Sequence, residues 1–172
     1  PLVRAWRVDL MPDSIPKPHT HPFKLHAKER PDALHSPPPA ASPAFIELLT
    51  RSNYTFLTGA SHPEDLFNTG AELGYAALGI ADTNTLAGVV RAHCAAKDAD
   101  RRCIVGSRLV LIDAHGIEIA IYPTDRTSYG RLCTLLTIGK RRAPKGECHL
   151  TLDDVASHAA GLVAIAIHPP SF

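Results

Sequence analysis

Two histidines one residue apart, His19 and His21, with His26 nearby, are the first residues along the chain that could do chemistry. Such a pair can hold a metal ion if both rings are neutral and further donors converge. Pro18 precedes the pair and no apolar strand leads into it, so a solvated tail that binds transition metals weakly is the competing reading. Lys140, Arg141 and Arg142, with Lys145, form a basic cluster. They could meet nucleic-acid phosphates, or simply complement the dipole at a helix C-terminus. The cysteines Cys94, Cys103, Cys133 and Cys148 contain no C-x-x-C pair, which argues against a zinc knuckle and for reduced, semi-buried thiols. Of the other histidines, His93 reads as a buried, satisfied side chain and His62 as a surface residue. His168 lies beyond the last apolar run, where it could be a stray ligand. Asp113, Asp125 and Arg126 read as turn and cap residues. A Gly-rich phosphate loop and a Ser-His-Asp spacing are both absent.

Whatever these residues do, the surrounding elements must position them. The chain has 172 residues, 45% apolar and 20% charged, with a net charge of +1. That suits one globular domain and excludes a global basic field. No apolar run approaches the ~20 residues that span a bilayer, and without a secretory signal the expected location is the cytoplasm. Residues 1–43 hold most of the prolines and no sustained apolar period, predicting a disordered or loosely extended extension. Residues 44–172 read as the folded unit. The chain begins with Pro1, Met11 is an alternative start, and it stops just after an apolar run. We expect it to be part of something longer.

Within the folded part, strand and helix signals alternate. Strands are expected over Phe45–Leu49, Ala76–Ala81 and Cys103–Gly106, then a hairpin of Leu109–Ile112 with Ile117–Tyr122, and a buried strand over Leu162–Ile167. Helices are expected from Ser61-His62-Pro63-Glu64, with Ser61 as cap and Glu64 completing a capping box, and across Leu86–Lys97 with Val89, Val90, His93 and Cys94 inward. Two more are expected across Tyr129–Ile138 and after Thr151. The order predicts an α/β fold with mainly parallel strands and functional groups at the C-terminal strand ends, just after Leu48, Ile80 and Val105.

Those places carry a resemblance. The stretches 52–64, 86–93 and 129–133 followed by 141–147 resemble, in order and spacing, the PHP domain of bacterial error-prone DNA polymerases of the C family, related to the DNA polymerase III alpha subunit. The resemblance spans about residues 44–170. It implies a partial, distorted (β/α)7 barrel of PHP type, standing ahead of the palm, thumb and fingers of a DNA-directed polymerase active in damage-induced translesion synthesis and mutagenesis.

Active members of this family gather His and acidic ligands around two or three metals, which activate water and clamp a phosphate. The resemblance places Leu49 and Arg51 where His-x-His belongs, Asp82 and Thr83 where Asp-His belongs, and Arg108 where a Glu belongs. Leucine has no lone pair and arginine is a permanent cation. The expectation is therefore a degenerate metal site without bound metal or catalytic residue, in which Arg51 or Arg108 neutralises Asp82. The whole polymerase would use magnesium and DNA, with the sliding clamp or other mutagenesis proteins as further partners. The rival readings are a metal-dependent phosphoesterase and a stand-alone interaction module.

Overall fold

The computed structural model describes residues 44–114 and 116–168, so the His19–His21 pair and the Pro-rich extension lie outside the described residues. In chain order the elements are β1 (Ile46–Thr50), α1 (Pro63–Glu72), β2 (Ala77–Thr83), α2 (Val89–Asp98), β3 (Arg102–Val110), β4 (Glu118–Pro123), α3 (Arg126–Arg142), α4 (Leu152–Ser157) and β5 (Leu162–Ile167). The strands form one sheet in the order β1-β2-β3-β4-β5. Strands β1, β2 and β3 are parallel, and β4 runs antiparallel to both β3 and β5. The α/β class with mainly parallel strands is as the sequence predicts.

Side-chain alternation explains how the sheet is covered. Leu78, Ile80, Cys103 and Val105 face α1 and α2, packing with Phe67, Ala92, Ala95 and Ala96. Leu109 and Ile121 face α3 and α4, packing with Leu132, Leu135 and Val155. The opposite face carries Ala81, Ala120 and Tyr122, with Leu48, Leu49 and Ile104 against them. This face is concave. In a flat sheet β1 and β4 would lie about 14 Å apart, yet the Tyr122 hydroxyl of β4 donates to the Leu48 carbonyl of β1 at 2.6 Å. Two glycines permit the curl. A Cβ on Gly79 would stand 2.7 Å from the Leu48 carbonyl oxygen, and one on Gly106 would stand 2.5 Å from the Tyr122 ring. Burial pushes the Tyr122 phenol up to about 12.

Several expected boundaries shift. Cys103–Gly106 and the start of Leu109–Ile112, read as two strands, are joined in the single strand β3, which ends at Val110, because the ladder to β2 continues through Ser107 and Arg108. Strand β5 is not buried: Val163 is 50% exposed. On α1 the cap is His62, not Ser61, and its N–H donates to Asp65 rather than engaging Glu64. Glu64 instead accepts from Arg91 of α2 at 2.8 Å. On α2, Val90 turns outward and a stripe of small residues, Ala92, Ala95 and Ala96, faces the sheet. His93 is half-buried, and its pKa is lowered by burial and by Lys97. Helix α3 is longer than expected, because Asp125 caps it by accepting the Ser128 N–H at 2.7 Å. Cys103 is buried and the other three thiols are half-buried, all of them free.

The α3 C-terminus is clasped to α4. Arg142 donates to both oxygens of Asp154 at 2.6 and 3.1 Å, and the Thr151 N–H donates to the same carboxylate at 2.9 Å. The Arg142 guanidinium, helped by Thr151, holds this carboxyl far below the usual carboxylate range. A depressed folded pKa adds stability that is present above the unfolded value of about 3.9 and is lost as pH falls through the folded one. We therefore predict that Arg142→Ala lowers the thermal midpoint at pH 7, and that the gap from the parent narrows as pH is taken down through 4 toward 2. A pH-independent gap would show that the ion pair is not its source.

Candidate functional site at the strand ends

The parallel strands deliver their C-terminal residues to one end of the sheet. Arg51 follows β1, Thr83 closes β2, and Arg108 lies across from Thr83 in the β2–β3 ladder. Arg108 and Glu118 share the concave face, since Arg108 pairs with Ala120 and Val110 with Glu118 across the antiparallel ladder. The Arg108 side chain is 8% exposed, and its Nη1 donates to Glu118 Oε2 at 2.8 Å. Arg51 approaches the same oxygen at 3.9 Å. One carboxylate thus stands between two guanidiniums, spanning β1, β3 and β4 across the mouth of the curled sheet.

Asp82 does something different from what the resemblance implies. It is 1% exposed and shares the outward parity of Ile80, toward the loop after β1. Its Oδ1 accepts from the Ser52 N–H and the Thr55 hydroxyl, and its Oδ2 from the Ser52 hydroxyl, each at 2.7 Å. The Thr83 N–H then donates to the Thr55 hydroxyl at 3.0 Å. Gly88, just before α2, lets the helix start close over this carboxylate: a Cβ there would stand 3.0 Å from Asp82 Oδ2 and 2.8 Å from the Tyr54 ring. The expected neutralisation of Asp82 by Arg51 or Arg108 is therefore corrected. Both arginines take Glu118, and Asp82 is satisfied by two hydroxyls and a backbone amide.

Leu49 packs against the concave apolar cluster and offers no donor. Glu118, Ser52 and Thr55 were not singled out by sequence reasoning. The available signal for Glu118 was an acid set among Ile117, Ile119 and Ile121 in a strand that otherwise reads as apolar.

A groove of about 670 Å³ opens over this end. Its walls include Arg51, Tyr54, Phe56, Thr83, Asn84 and Glu118, together with Lys140 and the Gly146–His149 segment. The basic cluster expected from sequence is split. Lys140 lines this groove, whereas Arg141 and Arg142 line another along α3, and Lys145 is simply exposed.

Residues 47–171 match the PHP domain profile. The chain belongs to the PHP domain family. Among curated relatives, an error-prone DNA polymerase of Caulobacter vibrioides is 48% identical over 127 residues, covering 74% of this chain and 12% of that protein. One from Rhodopseudomonas palustris is 44% identical over 134 residues, covering 76% and 12%, and one from Rhodopirellula baltica is 38% identical over 161 residues, covering 94% and 13%. The chain thus spans about an eighth of the length of the relatives it matches. A solved phosphoesterase-type structure from Bifidobacterium adolescentis overlays 56% of this chain and 33% of its own, at 16% identity and a TM-score of 0.47, too slight a likeness to argue from.

The metals that the family implies do not fit this PHP domain. Its strand-end positions carry two cations, a threonine and a leucine, and Glu118 is engaged by both cations. Among the described residues, no group of three or more His, Cys, Asp or Glu comes together. His168 follows β5, and Asp82 faces away from the concave side. Among the described residues, no helix is long and apolar enough to cross a membrane.

Proposed function

We propose that this PHP domain is a non-catalytic scaffold within an error-prone DNA polymerase that acts in damage-induced translesion synthesis. The observation that carries the reading is the Arg51–Glu118–Arg108 cluster. Fixed guanidiniums stand where the family places metal ligands, and a cation held by the protein cannot activate water as a metal does. The 38–48% identity to error-prone polymerases supplies the polymerase part. On this reading magnesium and the chemistry of nucleotide addition belong to other parts of the polypeptide. DNA is the partner of the whole, with the sliding clamp or other mutagenesis proteins as further contacts, in the cytoplasm.

The test uses the complete product of the gene that encodes this chain, assayed for magnesium-dependent primer extension on undamaged and abasic templates. The expected result is extension on both templates and no manganese-dependent hydrolysis of bis(4-nitrophenyl) phosphate. Absence of extension would overturn the polymerase part. Hydrolysis abolished by Asp82→Asn would overturn the scaffold part in favour of a phosphoesterase.

A further inference from the structure

Helix α3 covers the sheet with one face and leaves the other without a partner among the described residues. Leu132, Leu135, Leu136 and Gly139 are buried on the inner face. On the outside, Cys133, Thr137 and Arg141 stand in one row four residues apart, and Thr134, Ile138 and Arg142 in the next. Rows of this spacing are the ridges between which a second helix seats a ridge of its own. Here the two rows line a groove of about 570 Å³.

The groove is apolar for a reason internal to the helix. The Thr134 hydroxyl donates to the Gly130 carbonyl at 3.0 Å, and the Thr137 hydroxyl to the Cys133 carbonyl at 2.7 Å. With both hydroxyls engaged, the groove offers threonine methyls, the Ile138 side chain and the Cys133 thiol. At Gly130, which heads the second row, an added Cβ would meet nothing within 4 Å, so this end is open to close approach.

The charge on α3 has one sign. None of its 17 residues is acidic, whereas Arg126, Arg131, Lys140, Arg141 and Arg142 are basic. Arg142 is neutralised by Asp154. Arg131 donates to the Ala160 carbonyl and lies near the capping Asp125. Lys140 and Arg141 are exposed and have no acidic partner among the described residues. Cations in a last turn complement the helix dipole, but the dipole does not account for the apolar groove that leads up to them.

We propose that this outer face of α3 docks an acidic amphipathic helix of a separate protein. Small or aliphatic residues of that helix, four apart, lie in the groove, and a carboxylate meets Arg141. A second copy of α3 is disfavoured, because it would bring cations against Arg141. Nucleic acid would meet the cations but find no aromatic ring in the groove on which a base could stack. A face covered permanently would be more apolar than one whose large aliphatic residue is Ile138 alone, among threonines and cations. The proposal rests on the scaffold reading and deepens it by naming the class of partner that the scaffold holds.

The test uses the complete gene product and a fluorescein-labelled helical peptide of roughly 18 residues, matching the ~25 Å length of α3. The peptide carries Leu and Ala four apart on one face with Glu beside them, and a second peptide has Lys in place of each Glu. Fluorescence anisotropy is expected to show saturable binding of the acidic peptide and none of the basic one. Arg141→Ala is expected to weaken binding about 1.4- to 5-fold, the range for one exposed ion pair. Thr137→Arg fills the groove with a good helix former while adding positive charge, and is expected to abolish binding with an unchanged circular dichroism spectrum. Binding that survives Thr137→Arg would be attraction by charge alone, and overturns the proposal. So does an absence of saturable binding at millimolar peptide, or an oligonucleotide that binds more tightly than the peptide and is lost in Thr137→Arg. A Thr137→Arg product that melts well below the parent overturns it too, since the polypeptide itself then covers the groove, as does a parent dimer that this variant dissociates. Primer extension and phosphodiester hydrolysis are read on the same proteins, so failure of the scaffold reading and failure of the groove are told apart.

Discussion

Glu118→Gln lowers stability by about 2–4 kcal/mol, because it strips the Arg108 guanidinium of its carboxylate while leaving it buried. Removing one partner of a buried ion pair costs about 3–5 kcal/mol, and the range here is reduced because Glu118 is 32% exposed. Arg108 can recover little from its surroundings, since its Nε already has no hydrogen-bond partner. Arg108→Leu should cost less, because Glu118 keeps Arg51 and some solvent. The double replacement Arg108→Leu with Glu118→Leu should return to within about 1–2 kcal/mol of the parent, since an apolar pair of similar volume often matches a buried ion pair. Urea unfolding of the parent, Arg108→Leu, Glu118→Leu and the double variant gives the coupling energy directly. Additive single effects would mean that the pair seen at 2.8 Å contributes nothing as a pair.

The second large effect is expected at Asp82. Asp82→Ala removes the acceptor of three hydrogen bonds at once and strands Ser52 and Thr55, which are 0% and 5% exposed. Each buried polar group left without a partner costs about 1–3 kcal/mol, and some recovery by rotation of the two hydroxyls brings the expected total to about 3–5 kcal/mol. Asp82→Asn keeps the shape and one good acceptor, so it should cost about half as much. The loop should respond locally as well. Amide hydrogen exchange across residues 52–60 should accelerate in Asp82→Ala well beyond that of β3 or α3. Uniform acceleration along the chain would show that Asp82 supports the whole fold rather than this loop.

These two residues also show what could and could not be read in advance. The order of strands and helices was legible because apolar runs and capping residues are local signals, and Thr151 and Pro63 stand where such signals place them. The end of β3 was not legible. Gly106 resembles a strand stop, but its lack of a Cβ serves the Tyr122 ring packed across the sheet, a contact between residues 16 apart in sequence. The positions around the strand ends were found through the family resemblance, yet the partners were not. Arg108 and Asp82 differ in the parity of their side chains, and one residue along a strand reverses the face. Parity sends Arg108 to Glu118 on the concave side and Asp82 to Ser52 and Thr55 on the other. Glu118 itself lies past the hairpin turn, where spacing did not link it to the strand ends.

On the scaffold reading, protein cations rather than metal ions hold the strand ends together. Thermal unfolding of the chelator-treated chain, with and without millimolar manganese or zinc, tests it most directly. A ligand bound to the folded state at 100 times its Kd stabilises by about 2.7 kcal/mol, a shift that is readily seen in a domain of this size. The expected midpoints coincide with and without metal. A saturable rise in midpoint that survives truncating the chain before residue 44 would contradict it.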